Sequence, residues 1–189
     1  MTNNQVRAAI VGGIIVFVWS LFSWMVLPWH QNCFKKFQDE SAVGHAIKNN
    51  AQGDGVYVLP NTFAYTDSTS QKTINKGMEM MENGPVMFGV VHPNGLGKMT
   101  LTPFVISLII QVIGAFIITW MLLQTKGLAF KKKVEFVTLF GVAVAVLCEL
   151  PAWNWWGFPA GIVIVNMLDF VIGWFLGGLG IAKMLELKK

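Results

Sequence analysis

The sequence carries four apolar runs, each about as long as a helix must be to cross a bilayer, and this limits the fold more than any other feature. A helix rising about 1.5 Å per residue needs about 20 apolar residues to span the hydrocarbon. Residues 8–28, 104–124, 134–153 and 159–182 meet that length, and strongly polar side chains interrupt them only sparsely. A transmembrane barrel would instead show short alternating segments, which these runs are not. Of the 189 residues, 54% are hydrophobic and 13% charged, against about 25% charged in a soluble domain. The expected fold is an all-α membrane protein, a four-transmembrane-helix bundle whose first partner is the lipid bilayer.

The lysines give an orientation. Lys126, Lys131, Lys132 and Lys133 lie between the second and third runs, Lys183, Lys188 and Lys189 follow or end the fourth, and Arg7 precedes the first. The connection Pro151–Pro159 holds no Lys or Arg. Under the positive-inside rule both termini and the Lys-rich loop are cytoplasmic. The net charge of +4 then reports topology, and little basic surface is left for nucleic acid. The first run is expected to be a retained span. It has one preceding Arg, is too long, and shows Trp24, Pro28, Trp29 and His30 where a signal peptide needs small residues. The segment outside has no Asn-x-Ser/Thr site, which fits a bacterial inner membrane.

Residues 29–103 form that outer segment. Its six lysines balance six acidic residues between Lys35 and Lys98, and its apolar content fits a small α/β extracytoplasmic subdomain rather than a disordered loop. Gln38–Asn50 reads as a helix with Ala42, Val43, Ala46 and Ile47 on one face. Val56–Leu59 reads as a strand stopped by Pro60. Asp67 or Ser68 can cap a second helix running to Glu82, and Pro85–Val91 reads as a second strand before the turn signal His92–Gly95. Two strands are marginal alone, so this unit is expected to lean on the bundle or on a partner.

In the fourth run Asn166, Asp169, Gly173, Gly177 and Gly180 are spaced by 3, 4, 4 and 3 residues, one stripe of a helix. Gly173, Gly177 and Gly180 are read as a packing face, and Gly173 with Gly177 has the GxxxG spacing. The other runs offer matching stripes: Gly13, Ser20 and Ser23; Ser107, Gln111 and Gly114; Thr138, Gly141, Ala145 and Cys148 or Glu149. Counting from the outer end, Asp169 lies about 15 Å deep and Glu149 about 6 Å. Ionisable groups at such depth are costly and mark functional sites. An intramembrane polar pocket is therefore expected from Asp169, Asn166, Glu149, Gln111 and Ser20. Three roles suit Asp169: a neutral lock bonded to Gln111 or Ser20, a contact for a basic residue of another subunit, or proton or cation handling. No Lys or Arg lies within a run, so no ion pair at depth within the chain is expected.

Trp24, Trp29, Trp153, Trp155, Trp156 and Phe158 read as an interfacial belt. His30 and Cys33 have metal-ligand spacing, and Met78, Met80 and Met81 are soft donors of the kind copper prefers. The methionines, however, sit in an amphipathic helix, where packing accounts for them. Cys33 and Cys148 are read as free thiols rather than a bridge. No CxxC, HExxH, GxSxG or phosphate-loop motif occurs, so no catalytic residue, resident metal or cofactor is assigned. The leading expectation is a non-enzymatic accessory, assembly or self-associating subunit of a membrane complex. The alternative is a small transporter, channel or lipid-handling protein with an outer-leaflet pocket around Asp169.

Overall fold

A computed structural model describes residues 2–125 and 127–187. Lys126, Lys188 and Lys189, three of the lysines that set the expected orientation, lie outside the described residues. The elements are α1 (Asn3–Met25), α2 (Glu40–Asn50), β1 (Gly55–Leu59), α3 (Gln71–Asn83), β2 (Met87–Val91), α4 (Thr102–Leu123), α5 (Phe130–Trp156) and α6 (Ala160–Glu186). They fall into two compact units, Met1–Lys35 with Thr100–Lys189, and Lys36–Met99. Among the described residues α1, α4, α5 and α6 are long and apolar enough to cross a membrane.

Local chemistry sets the ends of these helices. α1 starts five residues before the expected span because Thr2 and Gln5 form a capping box: Gln5 Oε1 accepts from the Thr2 amide at 2.8 Å. It stops at Met25, since the residue before Pro28 is pushed out of helical geometry. α5 departs further from expectation. It runs through Pro151 to Trp156, so the turn placed at Pro151–Pro159 shrinks to residues 157–159, and Trp153, Trp155 and Trp156 belong to the helix. An apolar run tolerates one proline, which removes a single amide donor. The actual stop is Gly157, whose φ of +66° gives the left-handed C-cap that glycine adopts without strain.

In the helical unit α6 packs along both α5 and α1, α1 packs along α4, and α4 meets α5 over a much shorter stretch. The core joins Ala8, Val16, Ala115, Ile118, Leu122, Val137, Trp174 and Ile181. Gly173, Gly177 and Gly180 all face α1. A Cβ on Gly177 would lie 2.7 Å from Val16 Cγ2, one on Gly173 3.0 Å from Trp19 Cδ1, and one on Gly180 would overlap Ile15. α1 answers with its own glycines: Gly12 receives Ile181, and Gly13 lies so close to α4 that a Cβ would be 2.6 Å from the Val112 Cα. Small residues permit this approach where helices must gain dispersion contacts rather than hydrophobic transfer energy.

In the second unit β1 and β2 pair antiparallel, from Gly55 opposite Val91 to Leu59 opposite Met87. Asp39 caps α2 by accepting from the Ala42 amide at 2.8 Å. α3 is capped by Ser70, not by Asp67 or Ser68, and ends at Gly84. Ser70 wins because its hydroxyl is placed to accept from the Thr73 amide, while Thr66 and Ser68 bond each other in the preceding turn. Only Pro60 and Gly77 are buried among the described residues of this unit.

Candidate functional site

The last turns of α1 bring Trp19, Ser20, Ser23 and Trp24 onto neighbouring positions of one face. At Pro28 the chain folds back in a turn over residues 28–30, where the Asn32 amide donates to the Pro28 carbonyl at 3.0 Å, and runs on into a short 3-10 turn, Gln31–Cys33. The Cys33 thiol donates to the Trp29 carbonyl at 3.2 Å within that turn. This reversal returns Trp29 and His30 to the helices. His30 is 1% exposed and Ser23 fully buried.

These side chains meet Asp169 of α6. Ser23 Oγ donates to Asp169 Oδ1 at 2.5 Å, and the Trp29 indole N–H donates to Ser23 Oγ at 2.9 Å. His30 Nε2 lies 3.1 Å from Asp169 Oδ2, near enough to pair as an imidazolium, though neither imidazole nitrogen meets an acceptor at hydrogen-bond angles. The Trp19 indole N–H is buried beside the same carboxylate, also off hydrogen-bond angles. Trp24 stacks on the imidazole with ring centroids 3.9 Å apart, and Trp29 meets it edge-on at 5.9 Å. One helical turn further along the bundle wall, Asn166 Nδ2 donates to Glu149 Oε2 at 3.0 Å.

A cavity of about 280 Å³ opens beside these groups. α1 lines it with Trp19, Ser20 and Trp24, α4 with Gln111, α5 with Glu149, and α6 with Asn166, Asp169, Phe170 and Trp174. The five polar residues singled out in the sequence thus surround one space. Trp174 closes one end of it. Its ring reaches toward α4, where a Cβ added at Gly114 would lie 3.4 Å from the far edge of the indole, an ordinary contact. A Cβ added at Gly141 of α5 would lie 2.7 Å from the Trp174 Cβ and 2.9 Å from the Phe170 carbonyl oxygen, so any side chain there forces α5 and α6 apart. A second cavity of about 330 Å³ lies at the opposite end, among Thr2, Asn4, Gln5, Leu123, Lys133 and Leu185. There Asn4 Nδ2 donates to the carbonyls of Met184 and Leu187.

The surroundings of Asp169 differ from the sequence reading in two respects. Its partners are Ser23 and His30, not Gln111 or Ser20, which line the cavity instead. An ion pair at depth is available within the chain after all, because the reversal after Pro28 brings in a histidine that linear position assigned to the outside. The signals were present as a serine one turn beyond Ser20 and a histidine two residues after a helix-breaking proline.

The arrangement is not that of nucleophilic catalysis. Ser23 and His30 approach different oxygens of the same carboxylate, so no base is set against the serine hydroxyl. His30 turns to Asp169 and Cys33 to a backbone carbonyl, so the pair does not converge on one point. Met78, Met80 and Met81 lie on α3, in the other unit. Among the described residues no three His, Cys, Asp or Glu side chains come together as a metal would require. Cys33 and Cys148 are free thiols. The chain matches no family model, no curated protein and no solved structure.

Proposed function

We propose that this chain is an integral protein of a bacterial inner membrane, with both termini cytoplasmic, that admits a small solute into the cavity between its four long helices. The reading is that of a small transporter or solute-handling protein. The observation that carries it is the cavity itself: each of the four helices contributes a polar side chain to a space walled by tryptophan. A bundle held only by interhelical hydrogen bonds would close over such groups, since each unpaired polar atom in lipid costs free energy. The lysine distribution supports this orientation, under which the cavity lies in the outer half.

Cysteine chemistry tests both parts. In a chain with Cys33 and Cys148 replaced by Ser, Asp54→Cys should react with an impermeant thiol reagent on intact cells and Lys132→Cys should not; the reverse pattern would overturn the orientation. In the same background Ser20→Cys should react from the outside through the cavity. A Ser20→Cys that stays inert while Asp54→Cys reacts would mean the space is sealed and the group a structural lock.

A second reading, an accessory or self-associating subunit, is favoured by the unit of residues 36–99. Val56, Val90, Leu96 and Met99 are between 62% and 91% exposed there, and apolar surface of this kind is where partners bind. Purification in mild detergent would yield a stoichiometric companion or a dimer if this reading holds, and a monomer if it does not.

A further inference from the structure

We infer that the cavity takes a small organic cation, an amine or quaternary ammonium; this rests on the reading of the cavity as a solute chamber. Charge is the first reason. Asp169 and Glu149 both line the space, while among the described residues the basic group close to it is His30, which faces Asp169. The arginine and lysines of the four helices sit at Arg7, Lys131, Lys132, Lys133 and Lys183, toward the opposite end. Two carboxylates and one imidazole leave the chamber short of positive charge whenever both acids are ionised. Among the described residues nothing engages Glu149 Oε1, while Oε2 accepts from Asn166. An acid left this way at depth is costly until a counter-cation arrives.

The walls choose the kind of cation. Trp19, Trp24, Phe170 and Trp174 surround the carboxylates, and aromatic faces attract a diffuse, weakly hydrated cation, tryptophan most strongly. A divalent cation such as calcium or magnesium would need about six oxygen ligands, water included. Here both Asp169 oxygens and one Glu149 oxygen already have partners, and much of the remaining wall is indole. The volume of about 280 Å³ falls just below the range of drug-sized sites, which run from about 300 Å³ upward, so the ligand is small.

The test uses the full-length protein in detergent, with choline as probe and its uncharged isostere, in which tert-butyl replaces trimethylammonium, as the control. Calorimetry should show saturable choline binding, at least tenfold weaker binding of the isostere, and at least tenfold weaker choline binding to Glu149→Gln. If Glu149→Gln melts lower than the native chain, Glu149→Asp should retain choline binding, because it keeps the charge. Choline should also slow labelling of Ser20→Cys. Equal binding of the isostere, or unchanged choline affinity in Glu149→Gln, overturns the inference. Labelling of Ser20→Cys that choline does not slow also overturns it, and leaves the solute-chamber reading standing. A Ser20→Cys that never reacts removes the chamber and the inference together.

Discussion

Toward the chain termini, α1, α4 and α6 carry Ala8, Ala9, Gly12, Gly13, Ala115, Gly177 and Ala182, all buried, with Ile118 and Ile181 filling what remains, and Gly178 of α6 packs against Val134 and Val137 of α5. Toward the turn between α5 and α6, the same helices together with α5 present serine, tryptophan, glutamine, asparagine and two carboxylates around a cavity. One end spends its sequence on close approach and the other on holding polar groups apart. A bundle needs only one well-packed end to fix its helices. The other end can then keep a hole and a set of costly ionisable groups without falling in on them, because interiors packed to crystal density deform little.

The largest effect should come from the packed end. Gly13→Ala would drive a methyl group against the α4 backbone at Val112 and should destabilise by about 3 kcal/mol, the upper range for overpacking. Ser20→Ala, which removes an oxygen facing the cavity, should cost less than about 0.5 kcal/mol, within the usual range where nothing is overpacked or left unpaired. Melting temperatures in one detergent compare them directly; equal losses would erase the distinction between the two ends. Asp169→Leu comes next, at about 2 kcal/mol, because it strands His30 and Ser23 with bonds of the usual interhelical strength unmade. Asp169→Asn should lose less than half as much, since the amide oxygen still accepts from Ser23. If Asn costs as much as Leu, charge pairing with His30 outweighs the serine bond.

Smaller effects sharpen the picture at the termini. Asn4→Ala removes two donors from carbonyls at the end of α6, which have no partner within the helix, and should cost about 1 kcal/mol. Faster amide exchange in the last turn of α6 would confirm the location. Lys133→Ala breaks an ion pair with Glu186 that spans 3.5 Å and is partly exposed. Its loss should be under about 0.5 kcal/mol and should vanish in high salt. A larger loss would show that charge, and not packing alone, holds this end.

The four long helices were legible because period and length are local properties of the chain. Asn166, Asp169 and the glycines share a face of α6 for the same reason: helical geometry fixes which residues align. What could not be read is what depends on reversal. His30 sits after Pro28, where a linear reading puts it outside, and the backbone turn over residues 28–30 carries it back against Asp169. Ser23 and Ser20 are three residues apart and both near the facing helix, so spacing could not say which would reach the carboxylate. Pro151 reads as a boundary in the sequence, but it removes only one amide donor from a long apolar helix, which continues to the first residue that favours a left-handed turn. In the second unit the order of helices and strands followed from turn residues, but the choice among Asp67, Ser68 and Ser70 as cap turned on hydroxyl bonds inside the preceding loop.

Trp174 has a consequence that reaches beyond one molecule. Its indole lies between Gly141 on one helix and Gly114 on another, so three positions far apart in the chain describe a single volume. The two glycines are not bound in the same way. At 141 any side chain meets the Cβ of residue 174 and the Phe170 carbonyl, so shrinking 174 does not free it, whereas at 114 a Cβ makes ordinary contact with the indole and only a residue larger than alanine needs position 174 to shrink first. Diverged copies of this chain should keep glycine at 141 whatever stands at 174, and show side chains larger than alanine at 114 only beside a residue smaller than tryptophan at 174.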